Sequence, residues 1–278
     1  MSVTWRSGDP PPVVRRGAGH IARAMLRGGL LCLVILAGVL ATLPLRLIER
    51  PLYGVQRPWS PRVTQWVCRC AFAVLGMRHR IEGVPMTGPG AVVSNHVSWL
   101  DILALNARKR VYFVAKSEVA HWPGIGALAQ LTGTVFIRRD AREAKAQTAL
   151  FAERLGAGHR LLFFPEGSST DGLRVLPFKT TLFQAFFTLS GARPMQVQPV
   201  TVVYHAPEDQ DPRFYGWWGD MSFGGHLLQV LGAPRHGEVR IVYHAPLDVA
   251  EFSDRKALAM AAHGLVLSGM PGDRRQGT

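Results

Sequence analysis

Ala91-Val92-Val93-Ser94-Asn95-His96-Val97-Ser98-Trp99-Leu100-Asp101-Ile102-Leu103-Ala104-Leu105-Asn106-Ala107 decides the fold. Its first residues form a short, β-branched apolar run and predict a strand over 91–94. Polar residues then interrupt the run, and a helical pattern begins at Asp101. Strand, turn and helix in that order form the repeating unit of α/β proteins. The same alternation continues along the chain. Further strands are predicted at 111–115, 134–137, 160–164, 197–203 and 238–243, and helices at 101–107, 142–156, 180–189 and 255–266. The expected architecture is α/β, with a largely parallel central sheet flanked by helices. In such sheets chemistry gathers at the carboxyl ends of the strands.

Three constellations each follow a predicted strand. The first contains His96 and Asp101. On one continuous helix they would stand about 140° apart and could not meet. They meet if a turn precedes the helix and Asp101 opens its first turn, where an acid also suits the helix dipole. An Asp bonded to one imidazole nitrogen fixes the tautomer and leaves the other as a base for a hydroxyl. A lone His-Asp pair is more often structural than catalytic. The second constellation, Gly133-Thr134-Val135-Phe136-Ile137-Arg138-Arg139-Asp140, ends a strand in two Arg. It reads either as a solvated strand end or as an anion clamp, since guanidinium pairs with phosphate through two donors. The third, Phe163-Phe164-Pro165-Glu166-Gly167-Ser168-Ser169-Thr170, delivers a Glu and a small-residue turn to the same edge. There Gly167 permits close backbone approach and successive amides can face an anion. Alone it is an ordinary β-to-α turn.

The 278 residues carry 47% hydrophobic content and a net charge of +13. That suffices for a sizeable core and directs the chain toward anionic partners. Only five residues are Lys, and no basic run interleaved with aromatics occurs. Nucleic acid is therefore the weaker reading. Cys32, Cys68 and Cys70 offer neither a disulfide framework nor zinc-like spacing. Four segments are expected: a disordered basic arm at 1–22, a membrane-associated helical segment at 23–78, a catalytic domain at 79–268 and a flexible tail at 269–278. Residues 28–45 run eighteen positions without a charge between Arg27 and Arg46. This just reaches the length of a bilayer span, with a buried soluble helix as the alternative. Residues 62–77 are amphipathic, with Val63, Trp66, Val67, Cys70, Ala71 and Val74 on one face.

Together the three constellations, in this order, resemble the glycerolipid acyltransferase family. Its first motif corresponds to Asn95-His96-Val97-Ser98-Trp99-Leu100-Asp101, its second to Gly133 through Arg139, its third to Phe164-Pro165-Glu166-Gly167 and its fourth to Pro199-Val200. The resemblance covers roughly residues 80 to 205. Two departures bear on the acceptor. Ser168-Ser169-Thr170 stands where the family usually has Thr-Arg-Ser, and Arg138 stands where it often has Asp. The run Asp171-Gly172-Leu173-Arg174-Val175-Leu176-Pro177-Phe178-Lys179 resembles the branch that includes lyso-ornithine lipid acyltransferases.

The resemblance implies an O-acyltransferase of lipid biosynthesis that needs no cofactor and no metal. Acyl-CoA or acyl-carrier protein is the co-substrate and a lysolipid is the acceptor. His96 takes the proton of the acceptor hydroxyl and Asp101 holds the imidazole. Glu166, Gly167 and Ser168 help bind substrate or the developing oxyanion. Arg138 and Arg139 hold the anionic head, with Lys116 and Lys179 as further cations. The expected acceptor is lysophosphatidic acid, with lyso-ornithine lipid as the rival, its amine paired by Asp171. The expected location is the cytoplasmic membrane, with the catalytic domain facing the cytosol. Two other classes compete: a non-catalytic lipid-binding protein, which the presence of both His96 and Asp101 disfavours, and a hydrolase using the same pair with water.

Overall fold

The computed structural model describes residues 4–12, 17–88, 90–138, 141–191 and 194–274. Eight strands form one sheet: β1 (Arg78–Gly83), β2 (Gly90–Ser94), β3 (Tyr112–Lys116), β4 (Val135–Ile137), β5 (Arg160–Phe163), β6 (Gln196–His205), β7 (Glu238–Tyr243) and β8 (Leu247–Asp248). Their order is β1-β7-β6-β2-β5-β3-β4, with β8 beside β6. From β6 to β4 every pairing is parallel, while β7 and β8 run antiparallel to β6. The carboxyl ends of β2, β3, β4 and β5 therefore share one edge.

The helices are α1 (Ala18–Tyr53), α2 (Ser60–Leu75), α3 (Leu100–Arg108), α4 (Ile125–Thr132), α5 (Ala144–Gly156), α6 (Phe183–Ser190), α7 (Phe223–Gly232) and α8 (Arg255–Ser268). They cover both faces of the sheet. Val92, Leu162, Val200 and Val202 point to one side, among Phe72 of α2, Leu100 and Ala104 of α3 and Val230 of α7. Ala91, Val93, Leu161, Phe163 and Val197 point to the other, among Phe151 of α5, Phe183 and Phe186 of α6 and Leu258 of α8. Burial on both faces is why the central strands read as unbroken apolar runs.

The predicted segment at 23–78 is a helical hairpin that packs on the domain. At its start, Arg23 donates to the Gly232 carbonyl, and Arg27 to those of Leu231 and Ala233. These cations satisfy the carboxyl end of α7. In the middle, Gly38 lies so close to Val67 of α2 that a Cβ there would stand 2.3 Å from Cγ2. Near the end, buried Glu49 takes the Arg46 guanidinium on one oxygen and the Trp59 and Ser60 amides on the other. It thereby caps α2. The outer face of α1 stays bare: Leu26, Leu30, Leu33, Leu40, Leu43 and Leu47 are all exposed.

The expected disordered arm differs from the structure in its described part. Residues 18–22 already belong to α1. Ahead of it, the Trp5 amide donates to Ser168 Oγ at 3.0 Å and its indole lies between Trp218 and the Arg174 guanidinium. In the expected tail, Arg274 donates to the Tyr204 carbonyl, and 275–278 lie outside the described residues.

Candidate active site

β2 ends at Ser94, and Asn95 takes over its hydrogen bonding. The Asn95 amide donates to the Val202 carbonyl and accepts from the Val202 amide, at 2.9 and 2.8 Å. A side chain thus stands in for a strand peptide and anchors the start of the turn. The chain then passes through His96 to Ser98 and enters α3, whose first turn holds Asp101.

His96 Nδ1 and Asp101 Oδ2 lie 2.8 Å apart. The same oxygen accepts the Val97 and Ser98 amides, at 2.8 and 3.0 Å. Both amides belong to the turn that precedes α3, so the acid that orients the imidazole also holds that turn. Asp101 is fully buried, while the His96 side chain keeps 20% of its surface exposed. Its ring stacks on Phe164, with centroids 4.0 Å apart and planes 9° apart. Nδ1 is occupied, so Nε2 is the nitrogen available to a substrate. Beneath the turn, the Tyr204 hydroxyl is buried beside Asp101. Burial, reinforced by the carboxylate's charge, pushes the phenol well above its ordinary range.

The third motif wraps the same turn. Glu166 follows β5, is buried, and uses both oxygens internally: Oε1 accepts the His96 amide at 2.6 Å and Oε2 the Leu176 amide at 2.9 Å. Burial pushes its pKa well above the carboxylate range, the two amides pull it down, and the Asp101 charge adds to the rise. Glu166 was expected among the substrate-binding residues. In the structure both of its oxygens accept backbone amides, an arrangement that braces the turn. Gly167 adopts φ 76°, a backbone that suits glycine. Ser168 Oγ receives the Trp5 amide. Thr170 donates to the His96 carbonyl, and the Trp217 amide to that of Val97. Trp99 of the turn donates to His226 Nδ1 on α7. Burial lowers the His226 pKa to about 4, which keeps it neutral as an acceptor.

The expected cations are spread along the edge. Three strand spacings separate β2 from β4, roughly 14 Å, and two separate it from β3. Arg138 follows β4 with its side chain 71% exposed, and it pairs with Glu143 at 3.2 Å. Its guanidinium faces a nearby acid across a largely exposed pair. Arg139 lies outside the described residues. Lys116 is half-buried at the end of β3 and Lys179 is exposed. Asp171 was expected to meet an amine of the acceptor. It is buried and holds Arg174 through both oxygens, at 3.3 and 3.1 Å, because Arg174 sits one turn further along the same loop.

A histidine oriented by a buried acid on a partly open edge is suited to activating a hydroxyl for attack on an acyl group. The acyltransferase family matches residues 77–203. The chain is 57% identical over 266 residues to lyso-ornithine lipid O-acyltransferase from Rhodobacter capsulatus, covering 96% of each. It is 42% identical over 168 residues to 1-acyl-sn-glycerol-3-phosphate acyltransferase from Neisseria meningitidis, covering 60% of this chain and 64% of that one. The crystal structure of the 1-acyl-sn-glycerophosphate acyltransferase PlsC from Thermotoga maritima shares the fold, with a TM-score of 0.58 at 21% identity over 89% of this chain and 95% of that one. The turn, the brace and the motif order thus occur in a chain with relatives of one kind along nearly its full length, and it belongs to the glycerolipid acyltransferase family.

Proposed function

We propose that this acyltransferase moves a fatty acyl chain from acyl-CoA or acyl-carrier protein onto the free hydroxyl of lyso-ornithine lipid, with His96 as general base. The observation that carries the mechanism is the 2.8 Å contact that commits Nδ1 to Asp101 and leaves Nε2 to the substrate. Nε2 takes the proton as the hydroxyl oxygen attacks the thioester carbonyl. The tetrahedral oxyanion then collapses and expels the thiolate, which recovers the proton from the imidazolium. Asp101 stabilises that imidazolium. The amides of Ser168 and Ser169 have no hydrogen bond among the described residues and are available to the oxyanion.

The acceptor reading is supported by the Rhodobacter relative, and by a second enzyme of that name from Brucella abortus, 38% identical over 82% of this chain and 88% of that one. Two features of the site agree with it. Ser169 occupies the place of the family's usual Arg, and Arg138 is paired with Glu143. A phosphomonoester with nearly two charges wants bidentate Arg, whereas a zwitterionic head needs less. The rival, lysophosphatidic acid, keeps the support of the Neisseria relative. Purified protein given an acyl donor and both lysolipids decides between them, with products read by mass spectrometry. Lyso-ornithine lipid is expected to be acylated at least about tenfold faster, a difference of roughly 1.4 kcal/mol in the barrier. Acylation of lysophosphatidic acid alone would overturn the reading.

Membrane attachment follows from α1, which is long and apolar enough to cross a bilayer and has only 11% of its most apolar window buried. We place the membrane at the cytoplasmic face, with the catalytic domain toward the cytosol, where acyl thioesters are found. The protein is expected to stay with membranes in high salt. Full release by salt would mean that charge alone holds it, since screening weakens only surface electrostatics.

A further inference from the structure

At the sheet edge opposite His96, before β4 and β5 begin, three arginines from distant parts of the chain converge. Arg46 comes from α1, Arg57 from the α1–α2 connection and Arg154 from α5. Each gives one terminal nitrogen to an internal acceptor: Arg46 to Glu49 at 3.1 Å, Arg57 to the Leu131 carbonyl at 2.7 Å, and Arg154 to the Gly133 carbonyl. The second terminal nitrogen of each has no partner among the described residues, and it is absent from the buried atoms that lack one. The Nε atoms of Arg57 and Arg154 are buried and unpartnered. Arg57 packs so tightly that a Cβ on Gly133 would stand 2.8 Å from its Cζ. Arg154 lies over the Tyr112 ring at 5.1 Å, and His159 stacks on the same ring at 3.9 Å.

The acids nearby do not balance this charge. Glu49 is consumed by Arg46 and the α2 amides, and Glu153 is exposed on α5. Burial and then repulsion by Arg46 and Arg154 bring Arg57 down to about 10. His159, 4% exposed, has no partner on either ring nitrogen, and burial followed by these three arginines pushes its pKa to about 3. Three preorganised guanidiniums that share one buried carboxylate keep an excess of positive charge and fit a phosphate. The surroundings say which phosphate. On the same helix as Arg46, Leu43, Leu47, Ile48 and Leu52 are exposed, and exposed Tyr53 and Trp66 flank the hairpin. Aromatic and basic residues beside bare apolar surface mark the headgroup level of a bilayer.

We propose that Arg46, Arg57 and Arg154 form a binding site for the phosphate group of an anionic phospholipid, whose acyl chains lie along the exposed face of α1. The site is separate from the reaction. It fixes the hairpin, and the domain packed on it, against an anionic membrane.

Native mass spectrometry of the full-length protein in neutral detergent tests this. The probes are phosphatidylglycerol and phosphatidylcholine of matched chains, with sn-glycerol phosphate as the soluble phosphate. Phosphatidylglycerol is expected to be retained at least about tenfold more than phosphatidylcholine, and glycerol phosphate at equal concentration should not displace it. Arg57→Gln and Arg154→Gln should each weaken retention about fivefold, from the typical value of one cation at an anionic surface, while Arg57→Lys keeps most of it. Acylation in detergent should stay near wild type in all three. Equal retention of the two lipids overturns the proposal, and that comparison needs no variant to fold. Displacement by glycerol phosphate, or unchanged retention in both Gln variants, overturns it as well.

Discussion

Replacing His96 with alanine is expected to slow acyl transfer by about 10²–10⁴-fold and to leave the fold intact, the typical worth of a general base. The structure separates the two effects. The backbone of His96 holds the turn, its amide on Glu166 and its carbonyl on Thr170, and neither bond involves the imidazole. Asp101 still holds the turn before α3 through the Val97 and Ser98 amides when the ring is gone. Only the Phe164 stack and the bond to Asp101 are lost. Asp101→Asn tests the other partner. An amide oxygen in the Oδ2 position can still accept the two backbone donors and the Nδ1 proton, but it carries no charge to stabilise an imidazolium. A loss of activity is expected, with about 10⁴-fold as its upper bound, the cost of the same exchange in serine proteases, where the tautomer is lost as well. Turnover within tenfold of wild type, in a variant whose circular dichroism is unchanged, would remove His96 from the reaction.

The strand–turn–helix around His96 was legible because burial on both faces writes a strand as a plain apolar run, and because the turn must fall between two residues that have to meet. β2, β3, β5 and β6 follow from the same signal, while β7 is legible from alternation, with Val239, Ile241 and Tyr243 buried between half-buried residues. β1 follows from neither. It lies at the sheet edge with β7 as its one neighbour, and Arg78, His79, Arg80 and Glu82 give it no apolar pattern. It is held instead by strand pairing and by Arg240, which reaches Glu82 at 3.1 Å. α7 was missed for a related reason. Gly224, Gly225 and Gly232 lower its helix propensity, yet Gly232 is where the His20 ring packs, a contact across more than two hundred positions.

The N-terminal arm shows the limit of composition. Pro10, Pro11 and Pro12 predict disorder, but Trp5 carries enough apolar surface to settle on Trp218 and Arg174. A tryptophan inside an otherwise polar arm was the signal available. At the site, sequence placed His96, Asp101 and Glu166 at one edge and could not say which of them faces substrate. That depends on which backbone amides come within reach. The donors to Glu166 arrive from 70 positions upstream and 10 downstream.

Glu166→Gln tests the role the structure gives this residue. Its two oxygens face two different amides. Glutamine has one oxygen and one NH₂, so in either orientation one backbone donor meets another donor inside the protein. A buried amide left unsatisfied costs about 1–3 kcal/mol. The variant is therefore expected to lose stability of that size in denaturant unfolding. It should also lose kcat, because the brace that is slackened holds the turn carrying His96, and small displacements of a catalytic group are costly. KM for the lysolipid should stay near wild type. A substrate-binding Glu166 makes the opposite forecast: stability unchanged, or improved by removal of a buried charge, with KM raised and kcat held. Unfolding curves and a KM-against-kcat split on one purified variant thus separate a brace from a ligand. A stable Glu166→Gln enzyme with a raised KM would return Glu166 to the substrate side of the turn.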